Sequence, residues 1–502
     1  MHVAHAVPPS LRGAPAVSTL AHAVLPVVSA FVLLSFLAVT PADADLWGHL
    51  TFGRDIVRTG SVQTTDTYSF TSDQPWVNHE WLAEVTMWSA YRLAGAPGLV
   101  ILKLVLACLV ALALLVSWRP HAFPAMWRDG LLFAVAMSAW PQLQFVRPQL
   151  FSLVLFAWLL VVLERVRTSG RLRWLFGVPP MFAAWVNFHG GWIVGAVALL
   201  IFTLCALFDR TTSFRTKAGL AATTAAALVA TLCNPYGTGM LAFLADTVRP
   251  DRGDIVEWRP LSDMGAFVIA LWLVPAALAA FAVWRKRTVP LSSLLIALVF
   301  AVGGVRVVRL VGFFAIAVAV LLVPCLREPA AAGDDLTRRR TWLARFVTVC
   351  ILAGACALPL FGRRIRADAP WMPEPEAATF IATHGLRGRM LTWFDYGEYA
   401  IWHLSPAIRV SMDGRRETVY SDRMRALHVR IYANAPGAMD EVARLNPDHA
   451  WLPRICPVIA TLESHGWRRV FQGPRSVVLS RTDTPQLVRV NTPVAPRWFP
   501  GP

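Results

Sequence analysis

Two aspartates stand two positions apart in "DADLWGHLTFGRDI", residues 43–56, directly after a long apolar run. In an extended segment such side chains project to the same side. Asp43 and Asp45 could therefore meet one hard divalent cation, Mg or Mn, or one could hold metal while the other accepts a proton. The simpler role for an aspartate ahead of Leu46 is to cap the helix that starts there. Glu257, in "GDIVEWRP", is a third carboxylate in a later polar loop, beside Trp258; a solvated loop glutamate is its ordinary reading. Three arginines suit an anion. Arg147 precedes Pro148 at the start of an apolar run, so a guanidinium and a helix N-terminus would point the same way. Arg306 and Arg309, in "GGVRVVRLVGFF", lie between two apolar runs, where they suit either a phosphate or snorkelling to lipid headgroups.

These groups need a frame, and composition says which. Apolar residues make up 56% of the 502-residue chain and charged residues 16%, and the mean hydropathy is +0.50. One water-soluble core cannot absorb that. The expected fold is a polytopic α-helical membrane protein. Runs near 20–40, 97–117, 129–142, 149–164, 173–187, 190–208, 217–233, 264–284, 289–304, 310–326 and 341–361 give about eleven spans, with short or broken ones at 129–142, 289–304 and Pro179-Pro180. The net charge of +16 is carried mostly by arginines between apolar runs, which excludes a nucleic-acid role. Every second loop is basic: Arg119 and Arg128, Arg165 to Arg173, Arg210 to Lys217, Arg285 to Arg287, and Arg327 with Arg338 to Arg340. By the positive-inside rule those loops and the N-terminus are cytoplasmic. Ala42-Asp43-Ala44 imitates a signal-peptidase site, but the run before it is as long as a span and has only Arg12 as a basic flank, so it reads as an uncleaved first span. Six of the seven cysteines fall in or beside apolar runs, against a disulfide framework.

The outward side collects the unusual polar groups: Asp43, Asp45, His49, Asp66, His79, Glu80, Arg147, Asn187, His189, Asn234, Glu257, Arg306 and Arg309. "NFHGG" and "NPYG" read as turns. The first outer loop, 41–96, is long, and Trp81, Val85 and Trp88 share one helical face while Glu80 and Glu84 share another, as in a helix lying in the interface. Domain 1–361 is thus the membrane part. Residues 362–483 read as a small extracytoplasmic α/β domain, with strands in "AIRVSMDGRRE", "DHAWLP" and "RSVVLSR" and helices at 374–384 and 421–433; 484–502 is a proline-rich, loosely ordered tail.

Aspartates after the first span, a long first outer loop, many spans and an outer C-terminal domain together resemble the GT-C superfamily of integral-membrane glycosyltransferases. Three segments are similar to motifs of oligosaccharyltransferase catalytic subunits: "WFDYG" at 393–397, with Phe394 for a second tryptophan; "DIVE" at 254–257, with Asp254 for a hydroxyl residue; and Arg306 or Arg309 for a lipid-phosphate arginine. The span count, the lack of a second D-x-D and the altered tryptophan motif depart from the oligosaccharyltransferase pattern. The resemblance implies a polyprenyl-(pyro)phosphate-linked sugar donor, a glycan, lipid or protein acceptor, and the cytoplasmic membrane as location. It gives Asp43 or Asp45 and Glu257 catalytic or metal-holding roles, Arg147, Arg306 and Arg309 the donor phosphate, and Trp393 and Asp395 the acceptor; His79, Glu80 and His189 join them as substrate-side candidates. Protein N-glycosylation, a lipid or solute transporter and a non-enzymatic scaffold for envelope assembly are the alternatives; the transporter would want more ionisable groups in mid-span.

Overall fold

The computed structural model describes residues 14–119, 121, 123–247, 255–285, 289–326, 336–481, 486–492 and 495–502; Arg12, Asp254, Lys286, Arg287 and Arg327 lie outside them. All eleven apolar runs are helical. The helices are Ala14–Ala38, Trp81–Trp118, Ala125–Ser138, Gln149–Ser169, Val178–Phe188, Trp192–Phe208, Phe214–Ala230, Ala266–Arg285, Leu291–Arg306, the continuous stretch from Val308 to Leu326, and Leu336–Phe361. Among the described residues five helices are long and apolar enough to cross a membrane: Trp81–Trp118, Gln149–Ser169, Ala266–Arg285, Val308–Leu326 and Thr341–Phe361.

Local chemistry explains two irregularities. Helix Trp81–Trp118 breaks at Ala94 and Gly95, where Gly95 takes φ 61°, a left-handed conformation that a residue without Cβ adopts freely, and Pro97 opens the second half. The break separates the segment 81–93 from the long apolar span. The run 173–187 is divided just before Pro179 and Pro180: the 3-10 turn Leu172–Gly177 gives way to helix Val178–Phe188, and the prolines occupy its first positions, where a proline has no hydrogen bond to lose.

Beyond residue 362 the chain builds a mixed sheet. It contains β1 (Gly388–Thr392), β2 (Ile408–Val410), β3 (His449–Pro453), β4 (Arg468–Gln472), β5 (Ser476–Ser480) and β6 (Val488–Arg489) in the order β2-β1-β3-β5-β4-β6. β1 runs parallel to both β2 and β3, so the segments leaving β1 and β2 emerge at the same edge. Those segments are Trp393-Phe394-Asp395 and Asp413-Gly414. The tail expected to be loose is partly built in: Trp47 Nε1 donates to the Pro500 carbonyl at 2.8 Å, its ring lies 5.0 Å from that of Phe499, and Arg497 and Phe499 are buried.

The sheet is riveted to the first long loop. Arg415 donates to both oxygens of Asp66 (2.7 and 3.1 Å) and both of Asp413 (2.9 and 2.7 Å). Its guanidinium also lies 4.8–5.4 Å from the ring centres of Trp76, Phe52 and Tyr68. Backbone bonds from Phe70 to Val410 and from Val410 to Tyr68 hold the same loop along β2.

Candidate active site

Helix Leu46–Thr59 starts at Asp45 and packs on segment 81–93, closely enough that a Cβ at Gly53 would strike the Glu84 carbonyl. The face of 81–93 that turns inward carries Ala83, Glu84 and Met87. Glu84 is buried, while Trp81, Val85 and Trp88 are only half-buried. Trp81 nonetheless has a protein partner, donating from Nε1 to Asn187 Oδ1 at 2.7 Å. The one carboxylate of the segment, Glu84, serves the interior and is satisfied there.

A chain of titrating groups follows. His49 Nδ1 is 3.3 Å from Glu84 Oε1, and Asn78 Nδ2 donates to Glu84 Oε2 at 2.6 Å. Glu80 Oε1 lies 3.4 Å from His79 Nε2 and 3.5 Å from His189 Nε2. Burial works against the His49 cation, but the hydrogen bond to Glu84 and the charges of Glu80, Glu84 and Asp45 outweigh it and raise its pKa to about 9. Burial likewise works against the Glu80 carboxylate, yet His79, with His189 and His49, holds it well below the ordinary range. His189 goes the other way: burial first, then Arg309 and the other histidines, push it down to about 3. Its neutral ring accepts from Arg309 at 3.0 Å.

The second half of the site is an alternation of carboxylates and guanidiniums. Arg147 donates from Nε and Nη2 to the two oxygens of Asp43, the latter at 2.7 Å, and from Nη1 to Glu257. Gln149 Nε2 reaches Glu257 at 3.2 Å, and Arg309 Nε stands 4.0 Å from Glu257 and over the Trp258 ring. Arg147 and Pro148 sit just ahead of helix Gln149–Ser169, as the sequence suggested. Arg306 is not brought in: it ends helix Leu291–Arg306 exposed, while the turn Val308–Leu310 carries Arg309 inward.

The two aspartates part company. Asp43 faces Arg147, whereas the Asp45 carboxylate lies against Gly414 and Glu398 of the α/β domain, so closely that a Cβ on Gly414 would overlap it. Burial, together with the charges of Glu80, Asp395 and Glu257 and against that of His49, raises the Asp45 pKa to about 6. Asp43, Asp45 and Glu257 were the candidate metal ligands, but a guanidinium already stands between Asp43 and Glu257, and Asp45 points elsewhere. Among the described residues no group of three or more His, Cys, Asp and Glu side chains is placed to hold a metal ion. The three carboxylates do not fit a ligand set in this arrangement.

Trp393 and Asp395 are brought to the edge of the site and are partnered within the domain. Trp393 Nε1 donates to Asp395 Oδ2 at 3.1 Å, its ring packs 4.8 Å from Tyr432, and burial raises the Asp395 pKa. Three groups outside the candidate set also belong here: His49, Glu84 and Glu398. The first two carried a signal, each standing four residues beyond a candidate on the same helical face. Glu398 carried none beyond following "WFDYG".

The backbone as a whole shares its fold with solved structures. In particular, it is similar to the structure of ArnT from Cupriavidus metallidurans in the apo state, with TM-score 0.53 and 14% identity over 93% of this chain and 98% of that one. It is also similar to arabinofuranosyltransferase AftD from Mycobacteria, with TM-score 0.52 and 16% identity over 92% of this chain. The chain spans 40% of the length of AftD. At such identities the likeness is one of fold. No family defined by sequence matches the chain, and no curated protein does.

Proposed function

We propose that the protein is a membrane glycosyltransferase that moves a sugar from a polyprenyl-phosphate donor to an acceptor on the extracytoplasmic side, the side to which the positive-inside rule assigns the α/β domain. The observation that carries this reading is that Asp45 lies within electrostatic reach of Glu257, which Arg147 and Arg309 flank, so that a base and an anion clamp belong to one cluster of charges. ArnT and the arabinofuranosyltransferase AftD, whose fold it shares, make this chemistry the natural one to test.

The reaction asks little covalent work of the protein. The acceptor hydroxyl or amide attacks the sugar C1, the bond from C1 to the phosphate oxygen breaks, and the polyprenyl phosphate leaves with the electron pair. Asp45 takes the acceptor proton; with its pKa near 6 it is ionised at neutral pH yet basic enough to accept. Arg147 and Arg309 neutralise the departing phosphate by exchanging contacts with Asp43 and Glu257 for the ligand. His189, neutral and bonded to Arg309, orients that arginine. Transfer to protein asparagine fits less well, because Trp393 is already packed on Tyr432 and bonded to Asp395. The test is release of free polyprenyl phosphate from a polyprenyl-phosphate sugar by the purified protein. Turnover by the wild type that is lost in Asp45→Asn supports the reading; no release with any polyprenyl donor overturns it.

A further inference from the structure

We infer that Glu398 is a positioning residue: it accepts the Gly48 N–H of the helix that Asp45 begins, and so leaves the Asp45 carboxylate free for the acceptor. The inference rests on the proposed role of Asp45. An aspartate at a helix start normally bonds the N–H two or three residues on, with its own backbone extended. Asp45 does neither. Its backbone is helical (φ −81°, ψ −6°) and its side chain makes no cap bond. The N–H that it would take, that of Gly48, donates instead to Glu398 Oε2 at 3.1 Å, across 350 residues of sequence.

The packing around this bond has no slack. Glu398 is buried on helix Gly397–Leu404, which continues directly from the segment after β1. A Cβ at Gly48 would overlap the Glu398 carboxyl, and one at Gly414 would overlap Asp45 while coming within 2.8 Å of Glu398 Oε1. Two glycines on opposite sides thus make room for two carboxyl groups at one place. Burial, with the neighbouring charges of Asp45 and Asp413, raises the Glu398 pKa well above the ordinary carboxyl value. Because Glu398 belongs to the α/β domain and Gly48 to the first long loop, seating the domain is also what releases the base. The Arg415 rivet nearby keeps it seated.

The experiment compares steady-state turnover of a polyprenyl-phosphate sugar by the full-length wild type, Glu398→Ala, Glu398→Asp, Glu398→Gln and Asp45→Asn. Loss of the acceptor at Gly48 should lower kcat on the order of ten- to a hundredfold in Glu398→Ala, with the donor KM unchanged. Glu398→Asp, one methylene short of Gly48, should fall alongside it, and serves if the alanine variant does not fold. Glu398→Gln keeps an oxygen acceptor in place and should restore kcat to within a few-fold of wild type. Wild-type kcat in the alanine or aspartate variant, or a glutamine variant as poor as the alanine one, overturns the inference while Asp45→Asn stays inactive. Full turnover by Asp45→Asn, or none by the wild type, overturns the reading of Asp45 itself and this inference with it.

Discussion

Two places in this molecule put an arginine between two carboxylates, and they behave as opposites. In the rivet, Arg415 is 5% exposed and its partners Asp66 and Asp413 are 0% exposed. Every oxygen of both carboxylates receives the guanidinium, three aromatic rings surround it, and Tyr420 donates to Asp413 at 2.8 Å. In the site, Arg147 is 20% exposed and Glu257 24%, and Arg309, 26% exposed, touches Glu257 at only 4.0 Å. Buried Oε1 atoms of Gln142 and Gln149 find no partner beside it. An arginine between two carboxylates therefore gives a closed joint in one place and an arrangement with unspent hydrogen-bonding capacity in the other. A joint saturated by protein holds structure; one with slack can exchange protein contacts for a ligand.

Breaking the closed joint should have the largest effect. Arg415→Ala leaves Asp66 and Asp413 buried without a cation, a loss of about 3–5 kcal/mol. It should show as a large drop in the midpoint of thermal unfolding in detergent and as poor yield. A change at the loose edge of the open joint, Arg309→Ala, should move that midpoint little and weaken donor binding instead, by about 1.5–3 kcal/mol for a charged hydrogen bond, measured as Kd for a polyprenyl-phosphate sugar. A large loss of stability in Arg309→Ala would erase the distinction between the two joints.

The next effect is one of pH. Asp45 must be ionised to accept a proton, and its pKa is raised to about 6, so kcat should rise with pH through that value and level off above it. A rate independent of pH from 5 to 7 would remove Asp45 as the base. A further pH effect concerns His49 and Glu84. A histidine raised from 6.5 to about 9 on folding adds stability that is fully present below 6.5 and is lost as pH rises through 9. The unfolding midpoints of wild type and His49→Gln should therefore differ at pH 6 and converge above 9.

The same contrast shows what could be read from the chain alone. The eleven helices follow from runs of apolar residues, a local property, and so do the strands at 448–453 and 475–481. Arg147 was legible because Pro148 and an apolar run follow it at once. Arg415 and Glu398 were not, because their partners Asp66 and Gly48 lie some 350 residues away and nothing local marks the pairing. Arg306 and Arg309 look alike in sequence; a short turn at 308–310 exposes the first and turns the second inward. Segment 81–93 is a related case, since nothing in its sequence marks Glu84 as the buried side chain. Amphipathicity shows that two faces differ, and only the neighbouring helix decides which one is buried.

The central claim, that Asp45 does the chemistry and the arginines hold the lipid-borne phosphate, separates binding from turnover. The direct measurement is the affinity of purified wild type, Asp45→Asn and Arg309→Ala for a polyprenyl-phosphate sugar, followed by release of the lipid phosphate from each. Asp45→Asn should bind as tightly as wild type without turning over, and Arg309→Ala should bind on the order of tenfold or more weakly. Equal affinity and equal turnover in all three would contradict the central claim.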